Sequence, residues 1–403
     1  MSDIVLFEEL VCEDGSKLGL ATLNTPKTLN GLSLDMNRLL ADRFEVWAAD
    51  PAVVAILMRG AGDKAFCAGG DLHSLYQAMT QQPEQSATVK GYPGTFFSEE
   101  YTFDYRIHTF PKPIIVWGDG IVMGGGLGLM MGASHRIVTE TSRLAFPEIT
   151  IGLFPDVGGT WLLNRLPGKT GLFLGLTGAQ INAADALYAG MADYHLPRAN
   201  WDSLIAQLKT QPWVRSTSTQ NEPAKTAFTT RVTNDSLIHR ILDQLASDPA
   251  PAIGSLQQHA PLIQKLCSGS DLNDIVNNVL ALSDNPDPWL QRAAKTLAAG
   301  SPGSARLTFE LLKRIKHASL ADAFRIEFIA GMGCAVHGDF AEGIRALLID
   351  KDKQPKWNPA TLEQATAQWV AKFFTAPFPP EQDPLRTLGA LDDASGSDFI
   401  IGC

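Results

Sequence analysis

The spacing of apolar residues changes along the chain, and those changes mark out its elements. Ile4–Leu10 and Leu18–Leu23 are apolar, β-branched-rich runs joined through Asp14-Gly15-Ser16, which predicts a hairpin. In SLDMNRLLADRFEVWAAD the period lengthens: Leu34, Leu40, Phe44 and Trp47 recur at helical spacing, with Ser33 placed to cap the first turn. VVAILMRG (53–60) is a short continuous apolar run and reads as a buried strand. KAFCAGGD (64–71) passes from strand to loop, a helical pattern surrounds Glu99–Thr109, and PIIVWGDG (113–120) is another strand. Strand, strand, helix, repeated, predicts an α/β unit over residues 1–200.

Residues 80–98 are polar, with two prolines and two glycines, and predict a mobile loop able to act as a lid. From about residue 201 the pattern turns helical, in SARLTFELLKRIKHAS, ADAFRIEFIAGMGCAVHG and TLEQATAQWVAKFF. The expected organisation is a core over 1–200, a helical region over 201–375 and a loop-like tail over 376–403.

Composition narrows the class. The 403 residues are 45% apolar and 19% charged, as in an ordinary globular protein, and the net charge of −10 argues against a nucleic-acid partner. Five scattered cysteines, with no C-x-x-C pair and no histidine at zinc spacing, predict reduced thiols and no metal. The N-terminus has neither a secretory nor a transit pattern and no run reaches membrane-spanning length, so the expectation is a cytoplasmic protein without a membrane partner.

The glycine-rich stretches are not nucleotide loops. GGGLGL (124–129) has Leu129 where G-x-G-x-x-G needs its last glycine, and Gly168-Lys169-Thr170 has Leu163 where a phosphate loop needs its first. Glycine runs also let a ligand approach the backbone and leave amides free at a helix start. AGGD (68–71) and GGG (124–126) therefore suit either an oxyanion hole or tight helix–strand packing.

Two acids stand in repeated settings: Phe146-Pro147-Glu148 and Phe154-Pro155-Asp156, separated by ITIGLFP. Each proline sets a bend, and the apolar surround disfavours ionisation, as an acid–base pair requires. Plainer readings are a strand-end acid for Glu148 and a helix cap at Gly158–Thr160 for Asp156.

LNTPKTLNGL, KAFCAGGDL, FFSEEY, PKPIIVWGDGIVMGGGLGL and FPEITIGLFPDVGGTWLLNRLPG together resemble the crotonase (enoyl-CoA hydratase/isomerase) superfamily. The later blocks LTGAQINAADALYAGMADY and DFAEGIRALLIDKDKQPKWNPA resemble its hydrolase branch. The resemblance implies a spiral of β-β-α units with a helical C-terminal region, and a thioester carbonyl held by the backbone amides of Ala68 and Gly125. It further implies catalysis by Glu148 and Asp156, and substrate contacts from Glu100, Gly69, Gly70, Asp71 and Gly124. Glu100 also reads as a surface helix acid beside Glu99. Hydratases carry a glutamate where this chain has Gly128, so the branch implied is the thioesterase that splits 3-hydroxyisobutyryl-CoA in valine breakdown. Glu148 would attack the thioester or activate water. Coenzyme A enters as part of the substrate, with no further cofactor. An enoyl-CoA hydratase or isomerase, a silent acyl-CoA-binding scaffold, a 3-hydroxypropionyl-CoA hydrolase and a homo-oligomeric assembly all stay open.

Overall fold

The hairpin forms as the pattern predicts. Strand β1 (Val5–Val11) pairs antiparallel with β2 (Lys17–Leu23), and Asp14 closes the turn by accepting from the Ser16 amide at 2.9 Å and its hydroxyl at 2.6 Å. This is a computed structural model that describes residues 3–215, 224–246 and 251–390. In chain order follow β3 (Val53–Gly60), β4 (Ala65–Cys67), β5 (Ile114–Gly118), β6 (Ile121–Met123), β7 (His135–Val138), β8 (Arg143–Ala145) and β9 (Tyr194–His195).

A six-stranded sheet has the order β1-β2-β3-β5-β7-β9, and a three-stranded sheet the order β4-β6-β8. Apart from the hairpin, all these pairings are parallel. From β3 to β8, each successive pair of strands thus gives one to each sheet, the β-β-α spiral that the resemblance implies. Along β3, alternate residues enter two apolar clusters: Ile56 and Met58 join the main core, while Ala55 and Leu57 face the helices after residue 200. Burial on both faces explains why this strand is continuously apolar.

Helix α1 (Leu34–Ala49) starts where Ser33 Oγ accepts from the Met36 amide at 3.2 Å. Residues 80–98 correct the expectation of a lid loop. They hold the end of α2 (Leu72–Gln81), the short α3 (Pro83–Ser86) and the start of α4 (Tyr92–His108). Pro83 and Pro93 both stand in first helical turns, where a missing N–H costs nothing. A side chain at Gly94 would come within 2.6 Å of the Val89 carbonyl, so glycine permits the tight entry into α4.

Beyond residue 200 the described chain has helices and no strand. Ser301 and Ser319 cap the helices Pro302–Ile315 and Leu320–His337. The third helical pattern is shorter than predicted, because Thr366 caps Ala367–Ala371 and the preceding TLEQA stays outside the helix. Phe324 packs against Tyr101 of α4 with ring centres 5.7 Å apart, so the helical region and the spiral share one core. In the tail, Leu385 is buried and its carbonyl accepts from Arg325 at 3.0 Å, while residues 391–403, with Cys403, lie outside the described residues. Among the described residues no helix is long and apolar enough to cross a membrane.

Candidate active site

Two glycine bends meet at the edge of the smaller sheet. One leads from β4 through Ala68, Gly69 and Gly70 into α2; the other leads from β6 through Gly124 into α5 (Gly125–Met131). Gly69 (φ 113°) and Gly124 (φ 49°) adopt backbone that a side chain would strain. At Gly126 a Cβ would fall 2.3 Å from the Cys67 carbonyl, so this glycine brings the start of α5 against the end of β4. Gly125 opens the helix, so its N–H has no acceptor within the turn.

Two of the sequence assignments change here. The Ala68 amide already donates to the Leu29 carbonyl at 3.1 Å and is not free for a ligand. Gly70 offers the unused donor. Its bridge to Leu32 employs the Gly69 carbonyl (2.8 Å) and the Asp71 amide (2.9 Å), leaving the Gly70 N–H outside the ladder. Asp71 is the cap of α2: its two carboxylate oxygens accept from the Ser74 amide at 3.2 Å and hydroxyl at 2.6 Å, and it does not line the cavity.

Ala68, Gly69, Gly70, Gly124 and Gly125 all line a cavity with Glu100, Glu148 and Asp156. Its free space is about 80 Å³. That is the share of two or three liquid waters at roughly 30 Å³ each, enough for a short acyl group. The remaining wall is apolar, with Phe96, Phe97, Leu153, Val157 and Phe340.

Glu148 opens a 3-10 turn (Glu148–Ile151) behind Pro147 and is 3% exposed, which rules out the strand-end reading. Its Oε2 has no partner, and its Oε1 lies 3.3 Å from where a Gly124 side chain would begin. Asp156 is 5% exposed and accepts a hydrogen bond from the Tyr101 hydroxyl at 2.7 Å. Glu100 is buried rather than on the surface; it is Glu99 that faces outward, paired with Arg38 at 2.7 Å.

The cap assigned to Asp156 comes instead from Glu327, on the helix Leu320–His337. Its Oε2 accepts from the Gly158 amide at 2.7 Å, and its Oε1 from the Thr160 amide at 3.1 Å and the Thr160 hydroxyl. These contacts hold the start of α6 (Gly159–Leu163) and pin Val157, a β-branched residue at φ 54°. Such a conformation costs about 1–3 kcal/mol and persists only where neighbours enforce it. Sequence reasoning missed Glu327, which lies 169 positions from Gly158 and has no local signal. It also missed Tyr101, although the FFSEEY stretch placed it next to Glu100.

Burial dominates the titration of this cluster. It pushes Glu148 and Glu100 well above the usual carboxylate range, with the Asp156 charge adding to the rise in both. Glu327 is pushed up to about 8 despite its three donors. Asp156 rises only to about 6, because the Tyr101 hydroxyl stabilises its anion. Asp156 therefore ionises first and is the anion at neutral pH. If its charge is used in turnover, activity falls as pH drops through about 6. Asp156→Asn is expected to remove that acid limb and to lower turnover by about 10²–10⁴-fold, the range for a general acid–base group. A pH–rate profile checks this; an unchanged limb in the variant would assign it elsewhere.

The two-sheet β-β-α spiral thus sets two glycine bends against a cluster of buried acids. The family model described as enoyl-CoA hydratase/isomerase matches residues 18–374, and the chain belongs to that family. Among curated relatives, the protein named 3-hydroxyisobutyryl-CoA hydrolase, mitochondrial, from Danio rerio is 35% identical over 371 residues, covering 91% of this chain and 90% of that one. The Homo sapiens protein of the same name is 34% identical, with 91% and 88% covered. Among solved structures, an enoyl-CoA hydratase from Rhodobacter sphaeroides superimposes with a TM-score of 0.75 at 33% identity, covering 93% of this chain and 97% of that one. A carnitinyl-CoA dehydratase from Mycobacterium thermoresistibile gives 0.76 at 33% identity, with the same coverage.

Proposed function

We propose that this enzyme hydrolyses 3-hydroxyisobutyryl-CoA to 3-hydroxyisobutyrate and CoA, a step of valine breakdown. The observation that carries the reading is the convergence of Glu148 and Asp156 on one small cavity beside the Gly70 and Gly125 bends. Gly70 and Gly125 donate to the thioester oxygen, where charge grows during attack; one such donor contributes about 2.7–4 kcal/mol to the transition state. Glu148, whose Oε1 lies against Gly124, passes its proton to the Asp156 carboxylate and attacks the carbonyl carbon. The C–S bond then breaks, Asp156 returns the proton to the departing CoA sulfur, and the acyl group is held as an anhydride on Glu148. Water adds to the anhydride, gives its proton to Asp156, and releases the free acid with Glu148 restored. Glu100, at the cavity wall, meets the acyl hydroxyl.

The other family reaction, hydration of an enoyl-CoA, needs a second acid on the α5 side of the cavity. There the chain has Gly128, and a side chain at that position would strike Asp104 at 2.6 Å. Thiol release measured over a panel of short acyl-CoA thioesters separates the readings. The expected result is release from 3-hydroxyisobutyryl-CoA, slower release from 3-hydroxypropionyl-CoA, and no loss of the enoyl absorbance of crotonyl-CoA. Hydration of crotonyl-CoA without thiol release would overturn the proposal, and binding without either reaction would favour a silent scaffold.

The cytoplasmic location belongs to the same proposal. Its support is that Cys12, Cys67, Cys267 and Cys334 are free and buried. The relatives' names carry the word mitochondrial.

A further inference from the structure

Asp104 has no part in the reaction described above, yet among the described residues it is a fully buried acid, 0% exposed, and neither carboxylate oxygen accepts a hydrogen bond. Leaving such a group unpaired costs more than any neutral side chain would, so its retention points to a use.

Asp104 stands one helical turn beyond Glu100 on α4, so the two side chains share a face. Both lie along the glycine side of α5. A side chain at Gly125 would come 2.6 Å from Glu100 Oε1, and one at Gly128 would come 2.6 Å from Asp104 Oδ2. Gly125 and Gly128 are themselves one turn apart, so α5 leaves a slot that the two acids fill in file. Glu100 ends at the cavity wall, with its Oε1 buried and unpartnered, and Asp104 sits behind it, away from the lining.

The groups that face the pair are all neutral or anionic. They are Cys67 from β4, Tyr101 on the same helix, Asp156, Glu327 from the helix Leu320–His337, and His108, one turn beyond Asp104 on α4, which burial lowers to about 4 and so keeps neutral. Among these neighbours there is no lysine, arginine or protonated histidine to balance two carboxylates. Two carboxylates packed together without a cation share a proton, and burial and the adjacent Glu100 push Asp104 well above the usual range.

We infer that Asp104 is a positioning residue for specificity: as a neutral acid it donates its proton in a hydrogen bond to Glu100 and so fixes the Glu100 oxygen that receives the acyl hydroxyl. The inference rests on the hydrolase reading above. It predicts a site selective for neutral, hydroxylated short acyl groups. A carboxylate on the acyl chain is disfavoured by the cation-free surround and by the Asp156 anion.

The test compares the parent, Asp104→Leu and Asp104→Asn on 3-hydroxyisobutyryl-CoA and isobutyryl-CoA, which lacks the hydroxyl, from about pH 5 to about pH 9. In the parent, kcat/KM favours the hydroxylated thioester, and the preference fades at high pH as the pair loses its proton. Asp104→Leu keeps the size but removes the donor. It is expected to lose about 10-fold of that preference, the worth of one hydrogen bond, while hydrolysis of isobutyryl-CoA continues. Asp104→Asn keeps a donor that cannot ionise, so it restores the preference and removes its pH dependence. An undiminished preference in Asp104→Leu, or a parent pH dependence preserved in Asp104→Asn, would overturn the inference. Should Asp104→Leu not fold, infrared difference spectra of the parent with unreactive thioether analogues decide. A protonated-carboxyl C=O band must respond to the hydroxylated analogue only, and a band that responds to neither analogue overturns it. If the parent releases thiol from no thioester at all, it is the hydrolase reading that fails.

Discussion

Glu148→Gln is expected to lower thiol release from 3-hydroxyisobutyryl-CoA by at least about 10³-fold while the thioester still binds, because an amide oxygen can neither attack nor deprotonate water. The substitution is nearly isosteric at a side chain 3% exposed with Oε2 unpartnered. Folding should therefore survive, and the melting temperature should hold or rise, since an acid whose ionisation burial opposes has been removed. Rapid mixing with substrate and titration with an unreactive thioether analogue together separate loss of chemistry from loss of binding. Undiminished turnover would remove Glu148 from the mechanism. Lost binding with a lowered melting temperature would give it a structural role.

The largest effect on stability is expected from Glu327→Ala. Glu327 is 0% exposed, and truncating it strands the Gly158 amide, the Thr160 amide and the Thr160 hydroxyl away from water. Loss of a buried, charge-capable acceptor of this kind costs about 3–5 kcal/mol. It would also release Val157 from its left-handed backbone and let the neighbouring Asp156 swing from the cavity, lowering turnover by about 10²-fold as a guiding figure for a misplaced acid. Chemical denaturation and steady-state rates of the folded fraction read the two effects separately. Wild-type stability in the variant would show that the Asp156 bend holds itself.

What could be read from the chain beforehand follows the range of the forces involved. The hairpin, α1 with its Ser33 cap, and β3 rest on contacts within one element, so period and turn chemistry suffice for them. Glu148 and Asp156 were legible because the doubled F-P-acid phrase places each behind a proline in an apolar setting. The 80–98 stretch misled because prolines and glycines open helices as readily as they break them. Only packing against the 88–89 turn reveals which role they have. Ala68 and Asp71 stood in the right loop, but hydrogen bonds to Leu29 and Ser74 decide which of its groups remain free. Glu327 and the Asp104–Gly128 contact join segments far apart in the chain, and no local pattern records them.

The central claim is that the amides of Gly70 and Gly125 grip the thioester oxygen beside Glu148. It is tested most directly by the infrared stretch of a ¹³C-labelled thioester carbonyl bound to Glu148→Gln. The account predicts a shift to lower frequency than in water, as two fixed donors weaken the C=O bond. A bound carbonyl that absorbs at its frequency in water, or above it, would contradict the account.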